Sequence, residues 1–258
     1  MNTSDHEGKA SAPQMPAAVL FDLGDTIVNI VSQDRKRGLA AVLKHGKDLP
    51  ANRSGLNELI DRLAEYGRDL DGRFEYLCVK HNLEYRQLDF HRLLYGRFGI
   101  EFDTDEDHIE WEYWNASLEL VLASGLQSAL QACRDRGIRM AVISNTTFRG
   151  WILQRELERL GIMEYFEFVM ASADFGIRKP DPLLYEIALK RLDLQPTEAW
   201  YIGNFVDVDC AGAASAGMVP VWYAAVDMNA GRFDAESEKL PQGSLVLSAW
   251  SDLPGLLP

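Results

Sequence analysis

Four short segments of this 258-residue chain carry residue types that together could transfer a phosphoryl group. The stretch Phe21-Asp-Leu-Gly-Asp-Thr26 puts the carboxylate of Asp22 at the end of an apolar run, and Gly24 turns the chain just after it. A carboxylate freed by a tight turn can act as a nucleophile and can also hold a divalent ion. In Ile143-Ser-Asn-Thr146, the hydroxyl of Ser144 and the backbone amides around Asn145 lie just ahead of a helical pattern, which makes a phosphate seat. In Arg178-Lys-Pro-Asp-Pro182, Lys179 can neutralise a phosphate and the nucleophile's own charge. In Gly203-Asn-Phe-Val-Asp-Val-Asp209, the oxygen side chains, Asn204 and Asp209 among them, suit Mg2+ coordination. Taken singly, each segment also fits a plainer role: a turn-capping Asp, a helix N-cap, a solvated lysine, ordinary turn chemistry. Their order along the chain favours the chemical reading.

Each segment must be held by the element that precedes or follows it. Ala17–Asp22, Gly137–Ser144, Phe166–Ala171, Ala199–Gly203 and Met218–Tyr223 are short apolar runs that read as buried strands. Helical patterns over Gly150–Leu160, Pro182–Leu192 and Asp209–Ala216 connect the later ones, with Gly217 expected just past the last helix. Strands alternating with helices specify an α/β fold, a parallel sheet with helices on both faces, and ligands then bind at the carboxyl edge of the strands. Between Ile30 and about Leu122 the pattern is helical throughout, for example over Gly55–Tyr66, Leu88–Phe98 and Ile109–Leu122. That is longer than an ordinary crossover and reads as an inserted helical subdomain. The expected organisation is a loose tail over residues 1–15, a core over 16–30 and 123–258, and a helical cap over 31–122.

Composition narrows the class of partner. The formal net charge is −13, from 39 acidic and 26 basic residues, which repels a nucleic-acid backbone. The longest apolar runs are far too short to span a bilayer. Cys78, Cys133 and Cys210 are far apart and form no CxxC pair, as expected of reduced thiols in a cytoplasmic protein. Residues Met1–Pro16 lack the apolar stretch of a signal peptide. The five histidines lack metal-ligand spacing and read as surface or cap-packing residues. Trp111, Tyr113 and Trp114 read as cap packing, with the alternative that they face the substrate. A cation of Asp34-Arg-Lys-Arg37 could reach a distal anion of a substrate; the plainer reading is a solvated face.

In order, spacing and strand context, the four segments resemble the motifs of the haloacid dehalogenase-like (HAD-like) hydrolase superfamily, over roughly residues 17–30 and 123–225. The resemblance implies a Rossmann-like core and a substrate-selecting helical cap inserted after the first strand. By the same resemblance, Asp22 is the nucleophile, Ser144 the hydroxyl and Lys179 the lysine of the third motif. The acidic pair of the fourth motif falls on Asn204 and Asp209. Mg2+ is expected among Asp22, the Gly24 carbonyl, Asn204 and Asp209, and Thr26 and Asn145 are expected to touch a small phosphorylated substrate. Two positions depart from the family's phosphatases. Gly24 stands where they carry a second, acid–base Asp, with Asp25 one place further on as a candidate substitute. Asn204 stands where they carry a metal-binding Asp. A positioned general acid contributes on the order of 10²–10⁴ in rate, so its loss weighs most on alkyl phosphates and least on acyl or aryl phosphates. The expected activity is Mg2+-dependent phosphate hydrolysis. The alternatives are a non-catalytic binding member, a phosphotransferase and, ranked lowest, a dehalogenase.

Overall fold

The computed structural model describes residues 14–224 and 239–258, so most of the expected N-terminal tail lies outside them. Strand β1 (Ala18–Phe21) is wholly buried, as a central parallel strand must be. Its pleat divides it between two cores: Val19 and Phe21 belong to one apolar cluster, Ala18 and Leu20 to the other. The chain turns through Leu23–Ile27 into β2 (Val28–Gln33). Four helices follow: α1 (Arg35–Val42), α2 (Arg53–Val79), α3 (Gln87–Arg97) and α4 (Glu106–Ser117). Three of them begin at a side chain that caps the first turn, namely Asp34, Asn52 and Asp105. Strand β3 (Leu118–Leu122) then returns antiparallel to β2, with Ile30 opposite Leu120.

That ribbon corrects the reading of continuous helix from Ile30 to Leu122. Helix α4 stops at Ser117, and both ends of the insertion are strands. Short β-branched and leucine-rich segments take the structure their pairing partner offers, and here each is the other's partner.

The remaining elements alternate as expected: α5 (Leu126–Asp135), β4 (Arg139–Ser144), α6 (Gly150–Arg159), β5 (Val169–Ala171), the single turn α7 (Ser172–Phe175), α8 (Pro182–Leu192) and β6 (Ala199–Gly203). After β6 the chain makes a π-helical turn over Val206–Cys210, then α9 (Ala211–Ser215) and β7 (Val219–Tyr223). Gly217 has the positive φ expected of it. A sixth sheet strand, β8 (Leu245–Leu247), is too short to stand out in the sequence. The sheet is parallel throughout, in the order β5-β4-β1-β6-β7-β8. Successive connections run outward from β1 on one side and then cross to the other. The crevice where strand order reverses therefore opens beside Asp22, Ser144 and Asn204.

The helical insertion is bound to the core. Apolar residues of both, such as Leu39, Leu63, Phe90 and Trp114 with Val19 and Phe21, share one cluster. Polar contacts reinforce it: the Gln87 N–H donates to Thr147 O at 2.6 Å, the Thr147 hydroxyl donates to Gln87 Oε1 at 2.8 Å, and Arg149 clasps the buried Glu110. Among the described residues the three cysteines are buried and unpaired, and no helix is long and apolar enough to cross a membrane.

One packing detail sets an acid limit. Gln87 Nε2 donates to His91 Nε2 at 2.9 Å, so the ring proton sits on Nδ1, which is buried without a partner. Burial, then the charge of Arg35, pushes the His91 pKa down to about 3 from 6.5. The unfolded chain therefore binds a proton that the folded chain refuses. The contribution of His91 to stability is full above pH 6.5 and is lost at up to about 1.4 kcal/mol per pH unit as pH drops towards 3. His91→Gln is expected to flatten this dependence between pH 7 and pH 5 in urea unfolding; an unchanged slope would assign the acid loss elsewhere.

Candidate active site

Asp22 is the first residue beyond β1, and its N–H still donates to Ile202 O of β6 at 2.8 Å. The ladder thus fixes its backbone while its side chain lines a cleft of about 600 Å³ at the carboxyl edge of the sheet. Oδ2 accepts from the Thr26 hydroxyl at 3.1 Å, and Oδ1 accepts from Lys179 Nζ at 2.6 Å. Burial pushes the Asp22 pKa up to about 6; Lys179 pulls it down and Asp209 adds to the rise.

Lys179 is the hub of the site. Its buried ammonium donates to Asp22 Oδ1, to Asp209 Oδ1 at 2.7 Å and to the Tyr201 hydroxyl at 2.7 Å. All three N–H bonds are committed to protein oxygens. Burial opposes the charge, but Asp209 and Asp22 outweigh it and hold the Lys179 pKa above the ordinary lysine value. The Lys179 backbone is braced from β4: its N–H donates to Asn145 Oδ1 at 2.8 Å, and Asn145 Nδ2 donates to its carbonyl at 2.9 Å. The Lys179–Pro180 bond is cis. Asp209 reaches Lys179 by folding back beneath the end of β6, where its Oδ2 accepts from the Phe205 N–H at 3.0 Å. Only glycine permits this, because a Cβ on Gly203 would lie 2.4 Å from the Asp209 carboxylate.

The sequence-predicted residues converge, though not all in the expected places. Asp22, Gly24, Asp25, Ser144, Asn145, Lys179 and Asp209 line the cleft. Thr26 and Asn204 do not. Both are buried behind Asp22, and the Thr26 hydroxyl faces Asp22 Oδ2 and, at 3.4 Å, Asn204 Oδ1. Thr26 thus braces Asp22, and the Asn145 amide braces the Lys179 backbone. Asp25 adopts a left-handed φ of 55°, which Asp tolerates better than most residues, and Ile30 N–H donates to its Oδ1 at 3.4 Å. The cations of the Asp34–Arg37 segment brace the insertion: Arg35 pairs with Asp71, Lys36 with Asp61, and Arg37 donates to Ala116 O. Trp114 packs in the core and also forms part of the cleft wall.

The oxygen donors near Asp22 are of the kind a hard cation takes: two carboxylates, an amide oxygen and the Gly24 carbonyl. Among the described residues there is no cluster of three or more His, Cys, Asp or Glu side chains placed to hold a metal. By their chemistry, two carboxylates and two neutral oxygens suit a hard, oxygen-binding cation better than a softer metal.

A family model described as haloacid dehalogenase-like hydrolase matches residues 16–217. The chain belongs to this family. Among its HAD-like relatives, the glyceraldehyde 3-phosphate phosphatase of Methanothermobacter thermautotrophicus is 32% identical over 245 residues, covering 93% of this chain and 97% of that one. The ribulose-1,5-bisphosphate 5-phosphatase of Halopiger xanaduensis is 28% identical over 226 residues, covering 81% and 85%. In fold, the chain is similar to the 2-haloacid dehalogenase of Pseudomonas syringae, with a TM-score of 0.62 at 22% identity over 94% and 98% of the two chains.

One site residue escaped the sequence. Tyr201 reads as an interior strand residue, yet its hydroxyl accepts from Lys179 and donates to Ile143 O at 2.9 Å. Burial, then Asp209, holds its pKa well above the ordinary value, so it stays a neutral phenol. Nothing local marks it, because its partners lie on β4 and in the turn ahead of α8. Tyr201→Phe strands one Lys179 N–H and is expected to lower stability by about 1–3 kcal/mol in urea unfolding. An unchanged midpoint would mean that the ammonium finds another acceptor.

Proposed function

We propose that this HAD-like hydrolase is a Mg2+-dependent phosphatase of a small phosphorylated metabolite, acting through an aspartyl-phosphate on Asp22. The observation that carries the reading is the Asp22 carboxylate, lining the cleft and paired with a lysine that a second carboxylate, Asp209, holds in place. The phosphatase relatives support the substrate class, since both act on small phosphorylated sugars.

Asp22 attacks phosphorus in line. A bond forms between its carboxylate oxygen and phosphorus, and the ester bond breaks with its electron pair on the departing oxygen. Lys179 keeps Asp22 in the ionised, nucleophilic form. Ser144 and the amides that follow β4 receive the phosphoryl oxygens. Asp22 and the Gly24 carbonyl would hold Mg2+, with Asn204, buried behind Asp22, and Asp209 as further ligands or as the groups that steady Asp22 and Lys179 beside it. When bound, the ion supplies charge neutralisation at the phosphoryl oxygens. Water then adds to phosphorus and gives its proton to solvent, and the Asp22–phosphorus bond breaks with its electron pair on the Asp22 carboxylate, which releases inorganic phosphate.

Gly24 supports a second reading, a family member that binds in the cleft without turnover. The test is phosphate release with Mg2+ and with chelator, using Asp22→Asn as the blank. The expected result is metal-dependent release that falls at least about 10⁴-fold in Asp22→Asn. Equal release from both proteins, or ligand-induced stabilisation with no release, would favour the second reading.

A further inference from the structure

We infer that the preferred substrate carries a single phosphate on a low-basicity oxygen of an apolar group, phenolic or acyl, in contrast to the sugar phosphates named for the relatives. The inference rests on the phosphatase reading above and narrows its substrate.

Three observations carry it. The first is the wall of the cleft. Val28 and Ile30 of β2, Leu118 and Leu120 of β3, Trp114 of α4 and Phe148 ahead of α6 give the chamber beyond Asp22 an apolar lining. A leaving group seated against this wall loses water, which favours an apolar group over a polyol.

The second is that the cations of the cleft, and the Asn145 and Thr147 side chains beside them, are already engaged within the protein. Both ends of the Asn145 amide are bound to the Lys179 backbone. The Thr147 hydroxyl donates to Gln87. Among the described lining residues the cations are Lys179 and Arg178. Lys179 is held by Asp22 and Asp209, and Arg178 pairs with the buried Glu84 at 3.0 Å. The remaining charged lining groups, Asp25 and Asp207, are acidic. A second phosphate on the substrate would meet no uncommitted cation among the described lining residues, and Asp207 would repel it.

The third is Gly24. With no carboxyl at this position, the departing oxygen leaves with its electron pair and takes no proton from that side chain. An oxygen that is stable as an anion can do so; an alkoxide cannot without a cost of about 10²–10⁴ in rate. The apolar wall and the missing acid are separate features of the cleft, and both select the same chemistry.

The experiment compares kcat/KM for 1-naphthyl phosphate and benzoyl phosphate with that for n-hexyl phosphate, glyceraldehyde 3-phosphate and ribulose 1,5-bisphosphate. Asp22→Asn is the blank for each. The naphthyl or the benzoyl ester, or both, are expected to exceed the other three by about 100-fold or more, and which of the two leads identifies the source of the low-basicity oxygen. Ile30→Ser, at a position 45% exposed and tolerant of change, is expected to raise KM for the naphthyl ester several-fold while leaving kcat near wild type. Leu120→Asn provides a second, deeper probe of the same wall. Equal or better use of either sugar phosphate, with Asp22-dependent release intact, would overturn the inference and leave the phosphatase reading standing. No change in KM for either wall variant would also overturn it. Absence of Asp22-dependent release from every substrate would overturn the phosphatase reading, and this inference with it.

Discussion

Gly24→Asp is expected to raise the turnover of alkyl phosphates by about 10²- to 10⁴-fold, the range a positioned general acid contributes. The HAD-like phosphatases carry an acid–base Asp at this position, two residues beyond the nucleophile. The site has room for one. A Cβ built on Gly24 meets nothing within 4 Å, and the residue is not among the glycines with positive φ. Gly24 also lines the cleft, two residues from Asp22, so a carboxyl placed there is at the edge of the space that a substrate would fill. Aryl and acyl phosphates, whose oxygens leave without a proton, are expected to gain little. The measurement is kcat for hexyl and naphthyl phosphate in both proteins. A similar gain for both would mean that the new carboxyl acts on binding or on water, and no gain for either would mean that departure does not limit the rate.

Lys179→Met is expected to lower both stability and turnover sharply. The ammonium lies 2.6 Å from Asp22 and 2.7 Å from Asp209 in a buried site. Without it, two buried carboxylates face each other with no counter-charge. Removing one partner of a buried pair costs about 3–5 kcal/mol, a large share of the roughly 5–15 kcal/mol by which folded proteins are stable. The Asp22 carboxylate is affected as well. Burial already raises the Asp22 pKa, and Lys179 is the group that pulls it back. Its loss leaves more Asp22 protonated at neutral pH, and turnover is expected to fall by about 10²–10³-fold or more. Urea unfolding and phosphate release measure the two effects. The double variant Lys179→Met/Asp209→Asn removes one of the facing charges and is expected to recover part of the stability but none of the activity. A single variant as stable as the parent would show that the bridge contributes nothing net to folding.

Much of this molecule was legible in its sequence. Buried strands read as continuous apolar runs, and the residues that follow them are turn-formers because a parallel strand must end abruptly at the carboxyl edge. The strand before Asp22, the helix opened by Pro182 and the glycine at 217 are therefore local facts, and the structure has them where the pattern put them. The departures at Gly24 and Asn204 were equally visible, since they are matters of residue type. The ribbon of β2 and β3 was not, because each strand exists only through a partner some 90 residues away. Short segments of this kind carry no periodicity strong enough to decide between helix and strand.

The sequence by itself determined the α/β alternation, the helical insertion and the inventory of chemical groups, because periodicity and turn chemistry are properties of neighbouring residues. Tertiary structure decided what each group touches. It turned Thr26 towards Asp22 and the Asn145 amide towards Lys179, brought in Tyr201 and bound the cleft's cations to its carboxylates. Lys179 and Asp22 are 157 residues apart in the chain. They meet because sheet order sets β4 beside β1, and Asn145 just after β4 braces the Lys179 backbone there; no local pattern encodes which strands will be neighbours.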